Sequence, residues 1–141
     1  MPKADNVHTT STNDPVFGAI DKHRLAASIF EEAVRVEFAS YGKVTKDALA
    51  QLNETTQEAT DKCFAAGASL VKTRPTTMVG AIAVLRYLAT LYDDEGTGAE
   101  CSIMPDTIDT SDDEEEAWQV LAFRTLASAL AQMPATAAEA Q

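Results

Sequence analysis

Few residues of this 141-residue chain combine the side-chain type and the spacing that catalysis requires. His23, followed directly by Arg24, is the only histidine within a helical pattern of apolar residues. An activated nucleophile needs a base within hydrogen-bond reach, a phosphate-binding loop needs clustered glycines, and a zinc hydrolase needs two histidines on one helix face. The sequence contains none of these arrangements. We therefore predict no catalytic residue and no cofactor, and we expect a protein that is not an enzyme.

The possible metal ligands are scattered along the chain. Two histidines and two cysteines are available, without a C-x-x-C or H-x-x-x-H pair among them: His8, His23, Cys63 and Cys101. A tetrahedral zinc site is normally built on such pairs. A calcium loop that begins at Asp93 fails as well, because its twelfth position, which must supply a bidentate glutamate, is Met104. The sequence predicts no metal site.

Acidic residues are concentrated in one segment. Asp93–Glu116 holds eleven aspartates and glutamates and no lysine or arginine, and the formal net charge of the whole chain is −11. The other positions hold eleven acids and eleven bases, so their charges cancel. Because no part of the chain is strongly basic, we expect binding neither to nucleic acid nor to an anionic membrane.

The sequence leaves two interpretations of this acidic segment open. It is either a solvated linker that aids solubility, or a docking surface for a protein partner of basic character. The densest part is a run of five acids in the first turn of the last predicted helix, and a helix would hold these charges in fixed positions. The candidate docking residues are Asp112, Asp113, Glu114, Glu115 and Glu116.

Apolar residues recur at helical spacing in four segments, which predicts an all-α protein. Asp14 before Pro15 is an N-cap followed by proline at the first helical position, and Ser111 with Glu114 forms a capping box. The predicted helices cover about 14–40, 45–71, 77–92 and 112–133, with an acidic loop over 93–111 and disordered tails over 1–13 and 134–141. Short connections between the first three helices favour an up-down four-helix bundle.

The third predicted helix is apolar on most of its circumference. Between Met78 and Tyr92, the only non-aromatic polar side chains are Arg86 and Thr90, which lie four residues apart on one side of a helix. This pattern is typical of a buried central helix, so we expect the other three helices to pack around it. The segment is too short to span a bilayer.

His23 and Arg86 are the polar residues that a core pattern does not explain. We expect His23 to be hydrogen-bonded at the edge of the core or of an interface. Arg86 either reaches solvent, pairs with a carboxylate, or holds an anionic ligand or a partner carboxylate. Together they define one functional hypothesis, a small-ligand or regulatory domain with a pocket between the first, third and fourth helices.

The aromatic residues leave the oligomeric state open. Phe17, Phe30, Phe38 and Trp118 are expected in the core, yet in a thin bundle some of them would face a second copy. A monomer and a homodimer are therefore both compatible with the sequence. The N-terminal residues lack the apolar run of a signal peptide, and the cytoplasm is the expected compartment. The favoured hypothesis is a non-enzymatic helical module that acts by protein–protein contact.

Two segments resemble a loose group of short bacterial hypothetical proteins. Residues 14–24 (DPVFGAIDKHR) are similar to their opening D-P-[IV]-[FY]-x-x-I-x-x-H-[RK]. Residues 75–88 (PTTMVGAIAVLRYL) are similar to their helix P-T-T-x-x-G-x-x-A-[LV]-L-x-Y-[LV], and residues 121–127 are similar but less specific. The resemblance implies a small bacterial accessory protein. It implies no activity, because the group has no established catalytic residues.

Overall fold

Four helices and one short hairpin make up the described part of the chain. The structure is a computed structural model that describes residues 13–93, 103–110, 112 and 114–134. Its elements, in chain order, are α1 (Pro15–Ser40), α2 (Lys46–Lys72), α3 (Met78–Asp93), β1 (Thr107–Asp109), β2 (Glu115–Ala117) and α4 (Trp118–Gln132). The all-α class is confirmed. The predicted tails, except for residues 13 and 134, and positions 94–102 of the predicted loop lie outside the described residues.

The helices α1 and α2 form an antiparallel pair. Their connection turns at Gly42, whose φ of 76° would strain a residue with a side chain. Near this turn, the side-chain amide of Asn53 on α2 donates to Glu37 on α1 at 3.1 Å. Farther from the turn, Cys63 of α2 lies beside His23 of α1. The contacts therefore run in opposite chain directions along the two helices.

Each helix packs against two others. α1 contacts α2 and α3, and α4 also contacts α2 and α3. Asp14 bonds to residues just before α3, and farther along both helices His23 bonds to Tyr87, so α1 and α3 run in the same direction. Arg74 donates to Gln132 at 2.8 Å, which brings the end of α4 to the end of α2. A regular up-down bundle stays a prediction.

The helix α3 is buried on one side only, which corrects the expectation of a helix enclosed by the others. Its inner side holds four apolar residues that are at most 8% exposed: Ala81, Val84, Leu88 and Leu91. On its outer side, Met78, Ile82 and Leu85 are between 41% and 53% exposed. The physical reason is that α1 and α4 flank α3 without covering its third side.

The last helix begins later than the sequence predicts. Residues 115–117 pair with residues 107–109 as antiparallel strands, with Ile108 opposite Glu116, and α4 begins only at Trp118, without a side-chain cap. Ser111 of the expected capping box lies outside the described residues, and Glu114 precedes the strand β2 rather than a helix. Instead, the carbonyl of Glu114 accepts a hydrogen bond from the Thr110 N–H at 2.9 Å and closes the hairpin.

Burial explains why this segment forms a hairpin. Ile108 and Trp118, both 4% exposed, belong to the main hydrophobic core. Strand pairing satisfies the backbone groups between them, and the Trp118 N–H donates to the Asp106 carbonyl at 3.4 Å. In a helix, five consecutive acids would instead repel one another, because residues three and four positions apart lie side by side on its surface. The predicted helix over 112–133 is therefore shorter by its acidic first turns.

Candidate functional site

The two segments that carry the resemblance meet along a seam between α1 and α3, the α1–α3 seam. At one end of it Asp14 is 2% exposed. Its Oδ2 accepts hydrogen bonds from the Thr76 N–H (3.0 Å), the Thr77 N–H (2.9 Å) and the Thr77 hydroxyl (2.7 Å). Its Oδ1 accepts from the Val16 N–H at 3.2 Å. One carboxylate thus satisfies backbone donors at the start of both helices.

A glycine on α3 makes room for this carboxylate. A Cβ added at Gly80 would collide with Oδ2 and Cγ of Asp14. The Gly80 N–H in turn donates to the Thr77 hydroxyl at 3.0 Å, so Thr77, just before α3, caps the start of that helix. Asp14 and the P-T-T-x-x-G pattern therefore have a structural explanation: they join the starts of two helices at close distance.

At the other end of the α1–α3 seam, His23 is fully buried and both of its ring nitrogens are bonded. Nδ1 lies 2.7 Å from the Tyr87 hydroxyl, and Nε2 lies 2.8 Å from the carbonyl oxygen of Ile103. Because a carbonyl only accepts, we assign the proton to Nε2, and Nδ1 accepts from Tyr87. Burial lowers the pKa of His23, and the bond to the Ile103 carbonyl partly opposes this shift. The neutral imidazole therefore joins α1 to Ile103, in the second half of the acidic loop.

A thiol lies beside this imidazole. The Sγ of Cys63 is 3.9 Å from Nε2 of His23 and 3.4 Å from the Ile103 carbonyl oxygen. Nucleophilic catalysis would require the imidazole to accept the thiol proton and a substrate to reach the sulfur. Both residues are 0% exposed, and Nε2 already donates to the carbonyl. The arrangement favours a packed polar core over a catalytic pair.

Arg86 lies on the wall of an open groove between α1 and α3, of about 310 Å³. The guanidinium of Arg24, on the opposite wall, lies 5.2 Å from the centre of the Tyr87 ring. Among the described residues, Arg86 has no ion-pair partner within 4.0 Å. Phe17, Ile20 and Ala83 form the apolar part of the wall. Thr90 and Asp21 also line it, and Asp21 forms an ion pair with Arg24 at 3.7 Å.

This groove differs from the pocket that the sequence suggests. It lies between two helices, and α4 does not contribute to its wall. His23 does not line it, because His23 is buried behind Tyr87, whose ring does line it. Of the two predicted ligand or interface residues, only Arg86 is therefore available to a molecule in the groove.

The candidate docking residues lie on the β1–β2 hairpin. Asp112, Glu114 and Glu115 are exposed, and Asp113 lies outside the described residues. Glu116 turns inward, and its Oε1 forms an ion pair with Arg124 of α4. These acids line an open hollow of about 640 Å³, together with Arg124 and Lys72. The hairpin therefore holds the described acids in fixed positions, as a docking surface requires, although on strands and a turn where a helix was expected.

Sequence reasoning missed an apolar surface on α3 and α4. Four apolar residues on α3 are spaced three or four apart, and all are exposed: Met78, Ile82, Leu85 and Ala89. The same spacing and exposure recur on α4 at Val120, Phe123, Ala127 and Leu130. On each helix this spacing forms one continuous stripe. We call the two stripes together the α3–α4 face.

The two stripes lie on either side of the contact between α3 and α4. On α3, the side toward α1 is marked by Ala83 and Arg86, which line the groove. On α4, the side toward α2 is marked by Leu121 and Thr125, which share a hollow with Lys72. Both stripes lie on the remaining outer sides of these helices, and α3 and α4 contact each other. The α3–α4 face is therefore a single surface.

One signal in the sequence points to this surface. From residue 78 to 91 and from 118 to 132 the chain has only two charged residues, Arg86 and Arg124. Helices that face solvent on one side normally carry charged residues there. Two such helices in a small four-helix protein cannot both be enclosed. One of them at least must present apolar side chains to the outside.

Within the part of the chain that the structure describes, no group of three or more histidine, cysteine, aspartate or glutamate side chains is arranged to hold a metal ion. None of its helices is long and apolar enough to cross a membrane.

Comparison with known proteins adds no relative. The chain matches no known protein family, no curated protein and no solved structure at a significant level.

Proposed function

We propose that this protein is a non-enzymatic helical module that acts by protein–protein contact. The observation that carries the proposal is the α3–α4 face. It exposes six large apolar side chains on two adjacent helices, with Phe123 65% and Met78 53% exposed. Soluble monomers rarely expose contiguous apolar patches above a few hundred Å², and larger ones mark interaction sites or binding grooves.

The acidic hairpin supplies a second surface for this function. Asp109, Asp112, Glu114 and Glu115 are exposed, and strand pairing places Asp109 opposite Glu115. A partner with a basic patch would gain association rate and orientation from this field more than affinity. The proposed module therefore has two binding surfaces: an apolar face, and an acidic docking segment within 93–116 for a basic protein partner. The cytoplasm is its proposed compartment, where a buried thiol such as Cys63 stays reduced.

Affinity capture from the native host lysate, read by mass spectrometry, tests the proposal. Three baits are compared: the wild type, a variant with Phe123→Glu, and a variant with the five acids at 112–116 changed to Asn or Gln. We expect a partner that the wild type captures and the Phe123→Glu variant loses. A partner that only the acid-neutralised bait loses would assign recognition to the hairpin. Identical capture by all three baits, with no self-association, would contradict a role for either surface.

A second candidate function is a small-ligand domain, which the groove between α1 and α3 favours. Arg86 and the Arg24–Asp21 ion pair lie beside an apolar wall, and Arg86 suits the anionic group of a molecule with an apolar body. Such a ligand should raise the melting temperature of the wild type by binding the folded state. The rise should vanish in the double variant Arg24→Gln, Arg86→Gln. A set of aromatic and aliphatic carboxylates that leaves both melting temperatures unchanged would count against this function.

A further inference from the structure

We infer that the α3–α4 face is covered by the same face of a second copy of this chain. The inference rests on the proposed function and names the partner of its apolar surface. Three features of the face support a self-association: its area, its lack of acidic residues and its geometry as a pair of adjacent helices.

The area of the face is close to what one subunit of a specific complex contributes. Its six large side chains are 41–65% exposed: Met78, Ile82, Leu85, Val120, Phe123 and Leu130. With roughly 200 Å² available on a side chain of this size, they expose roughly 600 Å² together. Ala89 and Ala127 add to this surface. A standard-size interface buries about 800 Å² on each partner, so the face alone nearly suffices for a stable dimer.

The distribution of charge lets two copies meet at this face with little repulsion. The chain carries a net charge of −11, so two copies repel each other over most approaches. Between residues 78 and 91 and throughout α4 there is no acidic residue. The two arginines of these helices lie away from the centre of the face, since Arg86 lines the α1–α3 groove and Arg124 pairs with Glu116.

The geometry of the face suits a two-fold symmetric contact. Two adjacent helices from each copy would form an intermolecular four-helix layer, in which the same patch serves both subunits. Each stripe contains one alanine beside a large residue, as Ala89 follows Leu85 and Ala127 follows Phe123. Large side chains of one copy can therefore pack over alanines of the other, as in the knobs-into-holes packing of helical bundles.

A competing apolar patch lies on α1, where Phe38 is 79% exposed. Its neighbours on the same helix include the exposed Glu31 and the ion pair between Glu32 and Arg35. Like charges would meet if two copies associated here. Phe38 therefore provides a matched control, because it is an exposed phenylalanine on a helix but lies outside the α3–α4 face.

Sedimentation equilibrium of the full chain tests the inference. We expect the wild type to reach twice its mass of 15.1 kDa with rising concentration. Phe123→Glu should raise the dissociation constant of the dimer by about tenfold or more, as burial of an unpaired charge in an interface demands. Leu85→Glu, on the other helix, should act in the same direction. Phe38→Glu should leave the constant unchanged, and circular dichroism verifies that all three variants fold.

Two results would overturn the dimer. One is a wild type that stays at 15.1 kDa up to submillimolar concentration. The other is a dimer that Phe38→Glu weakens and Phe123→Glu does not. The capture experiment separates this failure from that of the proposed function. If the wild type is a monomer and Phe123→Glu still removes a captured partner, the face binds another protein. If no bait captures a partner and no dimer forms, both proposals are wrong.

Discussion

The two sides of α3 reverse the roles that their residue types suggest. On the side toward α1, the polar residues Asp14 and His23 are buried and fully engaged with Thr77 and Tyr87. On the side next to α4, residues of core type such as Leu85 are exposed. Of these residues, the ones that could carry out chemistry, Asp14 and His23, are buried and hold the fold together. The apolar residues on the other side of α3 are the ones that another molecule can reach. A search for function in this protein therefore belongs on its apolar side.

A physical difference between the two kinds of contact explains this division. Hydrogen bonds in the α1–α3 seam require fixed distances and directions, so they specify one arrangement of the two helices. Apolar contacts are non-directional and depend mainly on the area removed from water. A surface that binds a partner can therefore be apolar. A contact that must hold two helices in one fixed arrangement is made more specific by buried hydrogen-bonded pairs. The predictions below test this contrast, in order of decreasing effect.

The largest effect is expected at the carboxylate of the α1–α3 seam. Asp14→Ala removes the cap of α1 and the acceptor that the part-buried N–H groups of Thr76 and Thr77 share. Loss of a cap costs about 1 kcal/mol, and loss of a hydrogen bond to a charged group costs about 1.5–3 kcal/mol. We expect the free energy of unfolding, measured in urea, to fall by about 4 kcal/mol. Asp21→Ala on the exposed side of α1 is the control, with a change within about 0.5 kcal/mol.

A smaller change in stability is expected when either of two glycines becomes alanine, and the two changes should have opposite signs. Gly80→Ala forces a methyl group against Asp14, so we expect about 2–3 kcal/mol of destabilisation as the seam shifts. Gly18→Ala meets no atom within 4 Å and lies inside α1, so it should stabilise the protein by about 0.5–1 kcal/mol. Thermal and urea unfolding of both variants measure the difference. Stabilisation by both substitutions would refute the close approach of the two helices.

These glycines also show how far the sequence alone leads. The N-cap at Asp14, the three long helices and the all-α class follow from local signals: cap residues, proline and periodicity. That Asp14 also bonds to Thr77, sixty-three residues away, does not follow from such signals. Only the packed structure shows which carboxylate excludes a side chain at Gly80.

The two errors in the fold have the same physical origin. The acids before α4 carry a good local helix-start signal, yet the burial of Ile108 and Trp118 favours strand pairing over it. The apolar pattern of α3 is that of a buried helix, but the sequence pattern does not tell how many other helices pack against α3. Tertiary contacts decide both cases. For this reason the candidate surface on α3 and α4 appears only in the structure.

A moderate, pH-dependent effect is expected at the buried end of the seam. The pKa of His23 in the folded protein lies below its unfolded value of 6.5, because burial disfavours the charged imidazole. The unfolded chain therefore binds the proton more readily as the pH falls below about 6.5, and stability decreases. The stabilising contribution is complete above that pH. For one proton the slope is at most about 1.4 kcal/mol per pH unit.

Urea unfolding between pH 7.5 and 5.5 measures this slope. We expect the wild type to lose stability across the interval and His23→Gln to lose less of it, even though the variant is weaker at every pH. An equal slope in both proteins would mean that the buried imidazole does not control stability in this range.

The smallest effect is expected from Leu85→Ala, on the exposed apolar side of α3. How this loss of stability depends on protein concentration tests whether a second copy covers that side. Leu88 is 7% and Leu85 is 42% exposed on the same helix, so the same change to alanine compares the two sides directly. Leu88→Ala should cost about 2–4 kcal/mol, whereas Leu85→Ala should cost under about 1 kcal/mol in dilute protein. At concentrations where two copies associate, unfolding of the wild type is opposed by dimer formation, and the deficit of Leu85→Ala should grow. The deficit of Leu88→Ala should grow far less, because its side chain is already covered within one chain. A Leu85→Ala deficit that is the same at every concentration would show that nothing covers this side of α3.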